Sequence, residues 1–328
     1  MNILHLSNNP ISGAPVNIAH CQRVYGGHTA LVLLNRDTSA NGIKYEGGEL
    51  WAQKSAEELT ALFESADVIH MHNFAYELKI FQTHSHLIQK MKQKKYVIQY
   101  HSDRYSGLES FEPSLKDPDF DGRRLVLAQY HARQYPEANF LVGNPLPLFK
   151  PEYQLLDVPL RWESPPVVNF APSNIHITRG WDYKGADKIV PVLEAMGRAG
   201  QITPEILTNM PKEECIARKR WSVFGIEELV TGSYHLSFLE YLALGCVTFG
   251  YLDDKTRQAL YDLIGIDATE ELPYIPAHVS TLAAILPLYV GDGPEDWRET
   301  GLAGRKWIDD HWSPKSHVDR FDKIYASV

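Results

Sequence analysis

The chain has 328 residues, 44% of them hydrophobic and 22% charged, which suits two globular domains with a large buried core. Lys and Arg total 32 against 41 Asp and Glu, a formal charge of −9. That balance argues against bulk nucleic-acid binding, which needs a broad basic surface, and leaves room for a local basic pocket.

Short apolar runs alternate with segments of helical spacing, the pattern of an α/β chain with mostly parallel sheets. The opening MNILHLSNNP has a short apolar run and no basic leader, so it reads as a buried strand over residues 2–6 and not as a signal peptide. A loop over 7–15, a helix over 16–25 and a strand over 28–34 follow. The spacing then predicts a helix over 55–65, a strand over 67–71, a helix over 76–92, a strand over 95–100, a helix over 123–133 and a strand over 139–142. Residues 146–166 hold several prolines and read as a connection.

The pattern restarts with a strand over 167–171, a helix over 186–197, a strand over 202–208 and a helix over 212–221. A helix over 236–244 stops at Gly245 and leads into a strand over 246–251. Helices over 282–288, 301–310 and 317–325 close the chain. Three widely spaced cysteines, Cys21, Cys215 and Cys246, give neither a disulfide framework nor a C-x-x-C zinc pair, and Cys246 reads as a small core residue. No run of about 18 apolar residues occurs. A soluble cytoplasmic protein is expected.

In parallel sheets ligands collect at the carboxyl ends of strands, so the loops there matter most. The first loop, 7–15, places Gly13 before a helix, where backbone can approach a ligand and the helix N-terminus favours anions. It is not a G-x-G-x-x-G, and no Walker lysine follows. His70 and His72 end the third strand on one face. A metal pair is conceivable there, but no carboxylate is near in sequence, and lining of a strand-end cleft is the better reading. His84 and His86 repeat the spacing within an expected helix, where the two do not converge. The next strand ends in Tyr100-His101-Ser102-Asp103, and a histidine so placed can orient or protonate a ligand hydroxyl.

The most chemical stretch is TRGWDYKG, which sets Arg179 and Lys184 at a helix start. A planar fork, a point charge and a helix dipole together suit a diphosphate. Next comes a Gly/Ser turn, Gly232-Ser233-Tyr234-His235-Leu236, entering the helix that carries Glu240. A carboxylate between Leu239 and Leu242 needs a reason, because unpaired buried charge is costly. Ribose hydroxyls that donate to it are one, and a partner cation in the core is the other. Lys90, Lys92, Lys94 and Lys95 form a basic run that reads as a solvated helix end or as a weak peripheral contact with anionic lipid.

The order of these motifs resembles the GT-B glycosyltransferases of the retaining, nucleotide-sugar-dependent type. Gly13 followed by Gly27-His28, the D-V-I-H-x-H strand end at 67–72 and the strand-end His101 match the N-terminal half of that family. Arg179 and Lys184 match its R-x4-K-G, Gly232 to Glu240 its E-x7-E region, and 301–325 its closing segment. The resemblance implies a fold of two facing Rossmann-like domains, with a C-terminal helix returning to the first. Its divisions are 1–148 on the acceptor side, a connection over 149–166, 167–306 on the donor side and the last helix over 307–328.

By the same resemblance, a sugar passes from a UDP-, GDP-, ADP- or TDP-sugar to a hydroxyl of a glycan or glycolipid-type acceptor, with retention and without metal or other cofactor. His101, Arg179 and Lys184 take the catalytic places. Gly13, Gly232, Ser233, Tyr234, His235, Leu236 and Glu240 line the donor, and His72 and Asp103 stand on the acceptor side. If the enzyme inverts, His101, Asp103 or His72 would be the base. A soluble enzyme of this kind is expected in the cytoplasm, with peripheral membrane contact at most. Two departures stand out: Gly232 replaces the first family glutamate, and Val247 replaces a proline. A non-catalytic subunit on this fold and a sugar-nucleotide epimerase remain alternatives. A nicotinamide oxidoreductase is disfavoured, since no G-x-G-x-x-G opens either half.

Overall fold

The structure is a computed structural model and describes residues 1–38, 43–102, 104, 111–172, 184–267 and 269–328. The chain divides into two compact units, Met1–Pro147 with Pro314–Val328, and Leu148–Ser313.

In chain order the first unit contains β1 (Asn2–Ser7), α1 (Ala14–Gly26), β2 (Thr29–Leu34), β3 (Glu49–Leu50), α2 (Ala56–Ser65), β4 (Val68–His72), α3 (Lys79–Thr83), α4 (His86–Lys92), β5 (Lys95–Tyr100), α5 (Glu112–Lys116), β6 (Arg124–Leu127) and β7 (Phe140–Val142). Its seven strands are parallel in the order β3-β2-β1-β4-β5-β6-β7. Apolar residues fill both faces, as a sheet covered on both sides requires. Leu4, Leu6, Ile69, Met71 and Ile98 meet Leu59, Phe63, Leu87 and Met91 of α2 and α4 on one side. Ile3, Val32, Val68 and Val97 meet Ile18 and Ala19 of α1 on the other. A capping box starts α2: Ser55 Oγ accepts from Glu58 N at 3.1 Å and the Glu58 carboxylate accepts from Ser55 N at 2.6 Å.

The second unit contains β8 (Val167–Phe170), α6 (Ala186–Arg198), β9 (Thr203–Ile206), α7 (Lys212–Trp221), β10 (Phe224–Ile226), α8 (Leu236–Ala243), β11 (Val247–Gly250), α9 (Asp254–Ile264), β12 (Ile275–Pro276), α10 (Leu282–Asp292) and α11 (Pro294–His311). Its five strands are parallel in the order β12-β11-β10-β8-β9, which puts β10 at the centre.

The last helix, α12 (Pro314–Ser327), returns to the first unit. Phe321, Ile324 and Tyr325 are buried in the core that α1 covers. At about 1.5–3 kcal/mol per large buried apolar side chain, that face alone anchors the helix. Lys95 Nζ adds a hydrogen bond to the Tyr325 carbonyl at 2.8 Å, and His28 meets Asp322 at 2.8 Å.

Several elements differ from the sequence expectation. Residues 123–133 form strand β6 and a 3-10 turn over Tyr130–Gln134, not a helix. Leu125, Val126 and Leu127 are buried on both faces, and an apolar run this short fits strand or helix equally by spacing. Residues 76–92 form two short helices, α3 and α4. Thr83 Oγ1 donates to the Lys79 and Ile80 carbonyls, and His84 leaves the helical region. Residues 149–166 belong to the second unit, where Trp162 is core and the buried Arg161 donates to the Leu244 and Gly245 carbonyls at 2.8 and 2.9 Å. A cation there satisfies the open carbonyl end of α8.

Candidate functional site

Strand β10 is the centre of its sheet, and the two residues that follow it are Glu227 and Glu228, both buried. This is the carboxyl end of a central parallel strand, the usual place for a ligand. Glu227 Oε1 accepts from Lys184 Nζ at 2.5 Å, and Glu227 Oε2 lies 3.2 Å from His235 Nδ1. Burial alone would raise the Glu227 carboxyl, but Lys184 and then His235 outweigh it and hold it well below the ordinary carboxylate range. One buried carboxylate therefore gathers the Lys184 ammonium and the His235 ring. Lys184 stands before α6 and His235 is the N-cap of α8, so both are at helix starts.

Glu228 shapes the adjoining turn. Its carboxylate accepts from the backbone N–H groups of Val230 and Thr231, from Thr231 Oγ1 at 2.9 Å and from Ser233 N at 3.2 Å. Burial and neighbouring Glu227 push this carboxyl up. Gly232, inside the turn, has φ of 77°. A Cβ there would stand 2.9 Å from Asp253 Cβ. The place where the resemblance expects a glutamate is a left-handed position with Asp253 packed against it, and glycine fits both demands. Ser233 and Tyr234 are buried, and Tyr234 meets Trp312 edge to face at 6.2 Å, as a core aromatic. Leu236 and His235 are part-exposed at the head of α8.

Glu240, on α8, is also buried. One carboxylate oxygen pairs with Lys212 and the other with Lys219 Nζ at 2.7 Å, both from α7. Burial would raise its pKa, but the two lysines overcome this and hold it at about 2. The cation partner thus accounts for a carboxylate among apolar neighbours without a ligand. Lys219 is itself 2% exposed, donates to Ser237 Oγ at 2.6 Å and lies 4.5 Å over the Tyr241 ring.

In the first unit, Ile11, Ser12 and Gly13 take φ values of 45°, 54° and 86° in succession at the start of α1. For Ile11, β-branched, this is a strained backbone, a cost of about 1–3 kcal/mol that commonly marks a functional loop. His72 and His101 come together, His72 Nδ1 lying 2.9 Å from His101 Nε2. Asn73, at φ of 64°, closes the strand end: its Oδ1 accepts from His101 N at 2.7 Å and its Nδ2 donates to Ser102 Oγ at 2.9 Å.

His5, His70 and His72 bring one ring nitrogen each within 4.8 Å, close enough to suggest a metal. The rings of His70 and His72 are stacked at 4.4 Å and 12°, so their in-plane lone pairs run side by side and do not converge on one ion. Arg179 and Asp103 lie outside the described residues. Among the lysines of the basic run, Lys90 pairs with Glu64 at 2.5 Å and Lys92 with Asp119 at 2.6 Å, while Lys94 and Lys95 donate to backbone carbonyls. No described helix is long and apolar enough to cross a membrane.

The residues that sequence reasoning missed are Glu227, Glu228, Lys212 and Lys219. The signal for the two acids was the run Val223-Phe224-Gly225-Ile226 ahead of them, short and interrupted by a glycine. Gly225 is needed there because a Cβ would fall 2.3 Å from the Tyr241 ring.

No protein-family model and no curated protein sequence matches the chain. Solved structures do. Sucrose-phosphate synthase from Thermosynechococcus elongatus superimposes with a TM-score of 0.60 over 100% of this chain and 99% of its own, at 10% identity. The fold is GT-B. HepE from Anabaena, in complex with UDP-glucose, gives a TM-score of 0.60 with 100% of both chains covered, at 11% identity. The catalytic domain of starch synthase IV from Arabidopsis thaliana, bound to ADP and acarbose, gives 0.60 over 100% of this chain and 99% of its own, at 10% identity. In the GT-B frame of this chain, the Glu227 cluster belongs to the C-terminal Rossmann-like unit and the histidines to the N-terminal one.

Proposed function

We propose that the chain is a glycosyltransferase that moves a sugar from a nucleoside diphosphate sugar to a hydroxyl acceptor. The observation that carries this reading is the Lys184–Glu227–His235 arrangement at the carboxyl end of β10. A departing diphosphate gains negative charge, and fixed cations aimed at that charge lower the barrier. The Lys184 cation supplies this, with the His235 ring and the open N–H groups at the head of α8 as further polar contacts. Glu227 serves as a positioning residue, holding Lys184 and His235 while its own charge is compensated. With these groups in place the leaving group needs no bridging metal or other cofactor, and departure assisted in this way suits retention. Arg179 is a further phosphate ligand in this reading.

His101 and the strained loop at Gly13 would hold the transferred sugar, with Asp103 on the acceptor side; His72, expected there from the sequence, is instead fully buried with both ring nitrogens engaged by His5 and His101 and backs His101 from behind. The acceptor is a glycan or glycolipid-type hydroxyl. UDP-glucose in HepE and ADP in starch synthase IV, on the same fold, support a nucleoside diphosphate donor. The test is a thermal-shift panel of UDP-, GDP-, ADP- and TDP-sugars with and without EDTA. One donor should raise the melting temperature equally in both conditions and release nucleoside diphosphate slowly. Stabilisation by none of them rejects the reading, and stabilisation that needs a divalent cation rejects its metal-free form.

A further inference from the structure

A continuous line of buried hydrogen bonds runs from α12 to His101. Tyr325 Oη lies 2.7 Å from His70 Nδ1 and accepts from Gln22 Nε2 at 3.0 Å. Gln22 Oε1 lies 2.8 Å from His5 Nε2, His5 Nδ1 lies 3.0 Å from His72 Nε2, and His72 Nδ1 lies 2.9 Å from His101 Nε2. The strand register explains the alignment. His5 sits opposite His70 across β1 and β4, and His72 sits two residues on along the same face. Gln22 comes from α1 and Tyr325 from α12, the helices that cover this face.

The direction of every proton in the line follows from donor and acceptor counting. The Gln22 amide nitrogen is committed to Tyr325, so its oxygen faces His5 and His5 Nε2 must donate. His5, His70 and His72 are neutral, because burial pushes each of their pKa values down, His5 to about 4. A neutral ring that donates from Nε2 has a bare Nδ1. His5 Nδ1 therefore accepts from His72 Nε2–H, and His72 Nδ1 accepts from His101 Nε2–H. The hydroxyl proton of Tyr325 goes to His70 Nδ1, its remaining partner among the described residues.

We infer that Tyr325, Gln22, His5 and His72 are positioning residues that hold the His101 Nε2–H on His72, so that in the neutral ring Nδ1 can accept a hydrogen bond and cannot donate one. A nitrogen of that kind is matched by a hydroxyl donor and not by a diphosphate oxygen, which can only accept. The catalytic consequence rests on the proposed glycosyl transfer; the tautomer does not.

The test is nitrogen-15 NMR of the full chain with labelled histidine, His101 being assigned through His101→Gln. In the neutral form of His101 the spectrum should show one species with protonated Nε2 and bare Nδ1. A neutral Nδ1–H form overturns the inference, whatever the protein catalyses. In Tyr325→Phe, which removes one hydroxyl, the Gln22 amide is released and His101 should show mixed tautomers; an unchanged single tautomer overturns the role of α12. Transfer by Tyr325→Phe should fall about tenfold, the size seen when a group that orients a functional histidine is lost. If the tautomer shifts while no donor is ever turned over, the relay stands and the transferase reading fails.

Discussion

Lys184 and Glu227 form an ion pair of 2.5 Å in which the Glu227 side chain is 1% exposed. Removing one partner of such a pair leaves a buried charge, at a cost of about 3–5 kcal/mol, whereas replacing both with apolar groups is often neutral. Lys184→Met should therefore destabilise the second unit strongly, and Lys184→Met with Glu227→Leu should recover much of the loss. Urea unfolding of the four proteins in this cycle checks it. Strictly additive losses would show that the two groups do not act as a pair.

Glu240 is the anionic centre of a second buried cluster, with Lys212 and Lys219 on its two oxygens. Its carboxyl is held at about 2 against an ordinary 4.5. A depressed acid contributes stability that is complete above its unfolded pKa and lost as pH falls through the folded one. Here the contribution, roughly 3 kcal/mol by linkage, disappears between about pH 4.5 and 2. Glu240→Gln should lower the melting temperature at pH 7 and leave nucleotide affinity within about twofold by the affinity scale. A tenfold loss of donor affinity at unchanged melting temperature would instead give Glu240 to the ribose.

The two units should respond to acid in different pH ranges. In the first unit His5, His70, His72 and His317 are pushed below their ordinary 6.5, chiefly by burial. A histidine held neutral contributes stability that is complete above about pH 6.5 and lost as pH falls toward its folded value. Each can cost up to about 1.4 kcal/mol per pH unit in that range. In the second unit the depressed acids Glu227 and Glu240 begin to lose their contribution only below about pH 4.5, and Glu228, pushed up, works in the opposite sense. Calorimetry from pH 7 to 5 should show the first unit's transition moving down while the second's stays nearly fixed. Parallel movement of both would contradict the neutral histidine layer.

Gly232→Glu restores the residue that the family resemblance expects, yet it should not improve the site. The position has φ of 77°, and its Cβ would press on Asp253 Cβ at 2.9 Å. A cost of about 1–3 kcal/mol from the backbone alone is expected. Gly232→Ala, carrying the same strain without the charge, should cost about as much. Thermal melts of the two variants check this, and a stabilised Gly232→Glu protein would show that the turn is more plastic than its geometry implies.

Much of the fold was legible because long elements carry their own period. The strands at β1, β4 and β5 and the helices α2 and α7 follow from apolar spacing and caps. The 123–133 segment was not, because three buried apolar residues in a row have no period. Lys184 and His235 were legible from their loops. Their organiser, Glu227, was not, since a three-residue strand containing Gly225 hides the strand end that presents it. The relay behind His101 needed register: His5 and His72 are 67 residues apart and meet only because β1 and β4 are neighbours.

In the proposed transferase, Lys184 and His235 at the end of β10 hold the diphosphate of the donor sugar. Isothermal titration of UDP-, GDP-, ADP- and TDP-glucose into the wild type and His235→Ala, in EDTA, tests it most directly. The His235 ring is part-exposed and Lys184 still pairs with Glu227, so its removal should lower the melting temperature far less than Lys184→Met does. The account predicts that one donor binds the wild type and binds His235→Ala about tenfold more weakly, the loss of one hydrogen-bonded contact. Binding of none of the four donors, or equal binding by both proteins, would contradict it.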